Sequence, residues 1–169
     1  NVCLNKYRTG AIEILKRMGG KIIIENIKTS SFETIGDITA KSSSLVGIEI
    51  PNNKISDAID EFPVIFIAAA NAKGVTTLKD AQELRVKESD RLLAMSNGLN
   101  NCGIQNKLFK DGISIQGGEF KGGEVNAYGD HRIAMSFVVS SLISKDSIKI
   151  IDTKNIDTSF PNFIELAKQ

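Results

Sequence analysis

Pro63-Val64-Ile65-Phe66-Ile67-Ala68-Ala69-Ala70-Asn71-Ala72 carries apolar side chains on nearly every side over a length that suits a helix. A surface helix shows one apolar stripe, so a segment without a polar face belongs inside, covered all round. Pro63 suits the first helical turn, where a missing N–H costs nothing. Gly74 closes the segment, and Val75-Thr76-Thr77-Leu78 reads as a strand. A buried helix followed by a short strand fits an α/β fold.

Toward the amino terminus, Ala11, Ile12, Leu15 and Met18 recur at helical spacing, and Gly19-Gly20 ends that helix where left-handed backbone is wanted. Ile22-Ile23-Ile24 reads as a strand, a polar, Ser-rich passage follows, and Ser44 to Ile50 is strand-like before the turn at Pro51-Asn52-Asn53. Toward the carboxyl terminus the pattern predicts a helix from about Ser89 to Asn101, a strand at Ile113-Ser114-Ile115, a helix from Ile133 to Ile143, a strand at Ile148 to Ile151 and a helical tail from Pro161. Displacing the chain by 72 positions lays Val75–Asp80 over Ser147–Asp152. Recurrence of helix and strand at this period argues for a pseudo-symmetric α/β fold whose first and last units are incomplete.

A chain of 169 residues, 41% hydrophobic, can bury one sizeable core. The formal charge of +1 lacks the broad basic excess expected of a nucleic-acid or anionic-membrane binder, so anion binding must be local. No apolar run reaches the roughly 18 residues of a membrane span, and the first residues lack the apolar core of a signal peptide. A cytoplasmic protein is expected. Cys3 and Cys102 have no zinc spacing and read as inert thiols. The chain starts with Asn1 and reads as a piece of a longer polypeptide.

Ionisable residues concentrate before three helices: Asp60 and Glu61 before the first, Arg85, Lys87 and Glu88 before the second with Arg91 a turn inside, and Asp130, His131 and Arg132 before the third. Helix N-termini present unsatisfied N–H groups and partial positive charge, which favour anions. In helical geometry Lys87, Glu88 and Arg91 would share a face. Arg grips a carboxylate or phosphate with paired hydrogen bonds, Lys acts as a point charge, and a carboxylate among bases is ionised and available for proton transfer. Each group also has a plainer reading: Asp130 as an N-cap, His131 as its structural neighbour, Glu88 and Arg91 as a surface pair. The glycines at 117, 118, 122 and 123 lack the Lys-Ser or Lys-Thr and the strand-to-helix frame of a phosphate loop.

Leu84-Arg85-Val86-Lys87-Glu88-Ser89-Asp90-Arg91 and Gly129-Asp130-His131-Arg132-Ile133-Ala134-Met135 resemble the two signature motifs in the carboxyl-terminal half of the 3-phosphoshikimate 1-carboxyvinyltransferase (EPSP synthase) family. Leu4 to Gly10, Gly47 to Pro51, Asp60 to Pro63 and Ser159-Phe160-Pro161 match further family segments in the same order. The resemblance implies an enolpyruvyl-transferase-like domain of repeated βαβαββ units, an inside-out α/β barrel with helices buried and sheets outside. Residues 1–169 would form a single domain, most of one of the enzyme's two, with the amino-terminal domain lying elsewhere. It implies transfer of the enolpyruvyl group of phosphoenolpyruvate to the 5-hydroxyl of shikimate 3-phosphate, with no metal or cofactor, no nucleic acid or membrane partner, and a monomer. By motif match Asp60 and Glu88 would be catalytic, Asp60 and Lys87 would contact shikimate 3-phosphate, Arg91 and Arg132 would hold phosphoenolpyruvate, and Arg85, Asp90, Asp130 and His131 would support them. Glu83 stands where many members have Asn, and Thr158 where some place a phosphate-binding Lys, so Thr158 receives no role. A sister family acting on a UDP-linked amino sugar shares the architecture but lacks the Arg-Val-Lys-Glu-Ser-Asp-Arg string. A non-catalytic anion-binding module is the reading from another class.

Overall fold

The structure is a computed structural model that describes residues 1–30 and 32–168. Its elements run β1 (Val2–Cys3), α1 (Gly10–Arg17), β2 (Lys21–Ser30), β3 (Glu33–Lys41), α2 (Phe62–Ala70), β4 (Val75–Leu78), α3 (Arg91–Asn101), β5 (Asn106–Leu108), β6 (Ile113–Gln116), β7 (Gly123–Asn126), α4 (His131–Ser141), β8 (Ile148–Ile151), α5 (Asn155–Ser159) and α6 (Phe163–Ala167).

The apolar segment forms α2, and Phe62, Ile65, Phe66, Ala69 and Ala70 are each at most 1% exposed. Pro63 lies in its first turn, as the missing donor allows. Helices α3 and α4 pack on α2. At Gly98 of α3 a side chain has no room, since an added Cβ would fall 2.4 Å from the Phe137 ring of α4. Gly19 ends α1 with φ +94°, the left-handed geometry expected of it.

Strands β1, β3 and β2 form one antiparallel sheet in that order, and β4, β6 and β5 form a second in the equivalent order. In each, a strand leads into a helix and then an antiparallel pair, so β1-α1-β2-β3 repeats as β4-α3-β5-β6. A second repeat lies around the buried helices: β7 and β8 pair in parallel on either side of α4 in the sequence, and the stretch before α2 runs parallel to β4 and the residues leading into it, through the bridges Val46↔Lys73 and Glu49↔Thr77. The middle unit thus follows the βαβαββ order with its first strand reduced to isolated bridges, whereas the described residues contribute βαββ to the first and βαβα to the last.

Three expectations need correction. Ser44–Ile50 is not a continuous strand; it meets β4 through those isolated bridges, where Gly47 lies so close that a Cβ would fall 2.3 Å from the Val75 carbonyl oxygen. The Ser-rich passage, of which Ser31 lies outside the described residues, is largely strand: β2 extends from Lys21 to Ser30 and pairs with β3. The helical tail begins at Phe163 and is preceded by the short α5. Among the described residues, no helix is long and apolar enough to cross a membrane.

Candidate functional site

The amino-terminal ends of α2, α3 and α4 meet around one guanidinium. Arg91, the first residue of α3, has a side chain 1% exposed and three carboxylates about it. Its Nε donates to Asp130 Oδ2 at 2.8 Å, its NH1 to Asp60 Oδ1 at 3.2 Å and its NH2 to Glu88 Oε2 at 2.6 Å. Burial works against the charged form of Arg91, but the hydrogen bond and charge of Asp130, with the charge of Glu88, outweigh it and raise its pKa. Burial likewise pushes the Asp130 carboxyl up, and Arg91, the Arg132 backbone N–H and Ser89 more than reverse this, leaving it below the ordinary carboxylate value. Such a pair is tolerated inside because each charge is both matched and hydrogen-bonded.

Two more cations border Asp60. Lys87 Nζ stands 3.8 Å from its Oδ1 and 2.6 Å from Glu83. Arg132 NH1 donates to the Asp60 carbonyl at 3.0 Å, and its NH2 lies 3.6 Å from Asp60 Oδ2. Residues 60 and 132 are 72 apart, the displacement of the internal repeat, so equivalent helix starts touch at the site. Glu88 is 53% exposed, Arg132 32%, Asp60 31% and Lys87 22%. The inner groups are fixed by protein contacts, and the outer ones retain a solvent face through which a ligand could reach them.

Not every predicted residue points to this centre. Arg85 turns away: its Nε and NH2 donate to the carbonyls of Lys110 and Phe109 at 2.6 Å each, and its NH1 bonds Asp90 at 2.7 Å. Asp90 caps α3 by accepting the Leu93 N–H at 2.9 Å. Both support the loop rather than face the cluster. The expected common helical face for Lys87, Glu88 and Arg91 is also corrected. Gln82–Val86 is a 3₁₀ turn, Lys87 is extended, and α3 begins only at Arg91. Glu88 still reaches Arg91, by the loop path. Asp130 is the N-cap its plainer reading supplied, since its Oδ1 accepts the Arg132 N–H at 2.9 Å, and it binds Arg91 as well.

His131 and Glu88 line a cavity of about 540 Å³ with Tyr128, Asn155, Thr158 and Ser159. A second cavity, of about 210 Å³, has Arg132, Asp60 and Glu61 on one side and Val64, Met135 and Val139 among its apolar walls. Sequence reasoning gave no role to Ser89, whose hydroxyl bonds Asp130 at 3.0 Å, or to Asn155, whose amide reaches the Gly129 carbonyl. Ser89 lay within the charged string and was within reach of inference. Asn155 carried no local signal. Among the described residues, no group of three or more His, Cys, Asp or Glu side chains is arranged to hold a metal ion.

Repeated α/β units whose helix starts gather matched acids and bases at one place define the class of fold and site seen here. The family model of EPSP synthase (3-phosphoshikimate 1-carboxyvinyltransferase) matches residues 1–166, and the chain belongs to that family. A protein of Coxiella burnetii named 3-phosphoshikimate 1-carboxyvinyltransferase is 48% identical over 168 residues, covering 99% of this chain and 38% of its own length. Its namesake in Legionella pneumophila is 50% identical over 167 residues, with 39% of its length covered. The solved EPSP synthase of Acinetobacter baumannii superposes with a TM-score of 0.95 at 48% identity, over 99% of this chain and 40% of that one. The chain therefore spans about two-fifths of the length of the curated relatives it matches.

Proposed function

We propose that this chain is the carboxyl-terminal portion of the active machinery of a 3-phosphoshikimate 1-carboxyvinyltransferase, forming most of one of two domains. The observation that carries the reading is the convergence of Asp60, Glu88 and Asp130 on Arg91, with Lys87 and Arg132 within 4 Å of Asp60. The 5-hydroxyl oxygen of shikimate 3-phosphate adds to C2 of phosphoenolpyruvate while the methylene carbon, C3, gains a proton. The tetrahedral intermediate then loses a proton from the new C3 methyl group and phosphate leaves, forming the enolpyruvyl ether. Two proton transfers and two phosphorylated reactants need acids, bases and cations in one place.

In this assignment Asp60 contacts the shikimate hydroxyls and accepts the hydroxyl proton, and Glu88, with its exposed carboxylate, serves C3. Lys87 lies on the side of the shikimate phosphate. Arg132 and Arg91 hold phosphoenolpyruvate. Arg132 has the more accessible guanidinium, while Arg91 commits three of its five N–H donors to carboxylates and retains two. Helix dipoles at α2, α3 and α4 offset part of the charge that the two substrates bring together. Asp90, Arg85 and Asp130 hold the surrounding loops, and His131 lines the cavity beside Glu88.

The test is phosphate release by a full-length enzyme carrying this segment, supplied with both substrates. Turnover that requires both, and that falls with Glu88→Gln, supports the assignment; an enzyme that binds neither substrate overturns it.

A further inference from the structure

Asp130 makes contacts beyond those a helix cap needs. Its Oδ1 alone caps α4 through the Arg132 N–H, while its Oδ2 accepts from both Arg91 Nε at 2.8 Å and Ser89 Oγ at 3.0 Å. The carboxylate is fully buried, so these are fixed donors and not a fluctuating water shell. A guanidinium is planar and rigid. Once Nε is tied to Asp130, the directions of NH1 and NH2 are limited too, and these are the groups that hold Asp60 and Glu88. Asp130 itself is held by the start of α4, and Ser89 ties the same oxygen to the loop that carries Glu88.

We propose that Asp130 is a positioning residue: it sets the plane of Arg91 and, through it, the placement of the Asp60 and Glu88 carboxylates for proton transfer. The inference rests on the functional reading above. Asp130 touches no reacting atom in this scheme. It acts because a displacement of about 1 Å in a proton-transfer group can cost roughly a hundredfold in rate. Asn at this position can still cap a helix. It has one oxygen in place of two and no charge, so it cannot serve the cap and Arg91 in the same way.

The experiment compares full-length enzymes bearing Asp130→Asn, Glu88→Gln, the two together, and Ser89→Ala, by kcat, by KM for each substrate and by thermal melting. Asp130→Asn is expected to lower kcat by about a hundredfold with KM changed far less. The double variant is expected to lose less than the product of the two single losses, because part of the effect of Asp130 runs through Glu88 and part through Asp60. Multiplied losses, or a loss confined to KM, would overturn the proposal. If Asp130→Asn gives no cooperative melt, Ser89→Ala, which leaves the cap intact, decides: a several-fold fall in kcat at unchanged melting supports it and an unchanged kcat overturns it. Absence of turnover in the unaltered enzyme overturns the functional reading and this inference together, whereas turnover with multiplied losses overturns the inference alone.

Discussion

Arg91 has the most constrained side chain of the site, and its neighbours differ in how freely they can move. Glu88 is held by one hydrogen bond and is half exposed. For Glu88→Gln in a full-length enzyme, kcat is expected to fall by at least about a hundredfold while substrate affinity changes little, as removal of a general acid or base requires; parallel kcat and binding measurements check this. Arg132→Ala should instead raise KM for phosphoenolpyruvate, since Arg132 presents an accessible guanidinium beside Asp60. Steady-state kinetics with that substrate varied would detect it, and an unchanged KM would remove Arg132 from its role. The charged residues were legible in the sequence, but their directions were not. Arg85 and Arg91 differ only by position in one string, and what separates them is that the Lys110 and Phe109 carbonyls, distant in sequence, stand beside Arg85, whereas Asp130 stands beside Arg91.

At the level of the element, the start of α3 is decided by Asp90, which both caps the helix and anchors Arg85. Asp90→Ala should therefore cost about 1–2 kcal/mol, measured by urea denaturation. Gly98→Ala on the same helix should be destabilising by about 1–3 kcal/mol, because the new Cβ meets the Phe137 ring and α3 must move away from α4. A change near zero would show that the two helices can separate without cost. Helices α1, α3 and α4 were readable from the spacing of their apolar residues, and α2 from its lack of a polar face, which its burial among the others requires. Of the β2–β3 hairpin only Ile22–Ile24 was, since Glu25, Asn26, Lys28 and Thr29 place polar, exposed side chains on both faces and erase the alternation by which a half-buried strand is recognised. Ser44–Ile50 failed in the opposite way. Its composition suits a strand, but it makes only isolated bridges to β4.

For the whole molecule, the cluster binds folding to protonation. The Asp130 pKa is lowered in the folded state, so the carboxylate adds stability at neutral pH that is lost as the pH falls below about 4 and through the folded value. Urea midpoints should drop between pH 7 and pH 3, and Asp130→Asn should flatten that drop. The isolated 169-residue chain, supplied with both substrates, is expected to release no phosphate above background, because in this reading a second domain supplies part of the charge that closes on the substrates. Robust release would show that this domain suffices.

The antiparallel hairpin β2–β3 pairs neighbours in sequence and leaves most of its side chains in solvent, whereas α2 is enclosed on nearly all sides. Amide protons of that hairpin should exchange with deuterium through local opening well before those of α2, which need global unfolding to reach water. The molecule would then loosen from one margin inward, and the cleft could stay assembled while its outermost ribbon breathes.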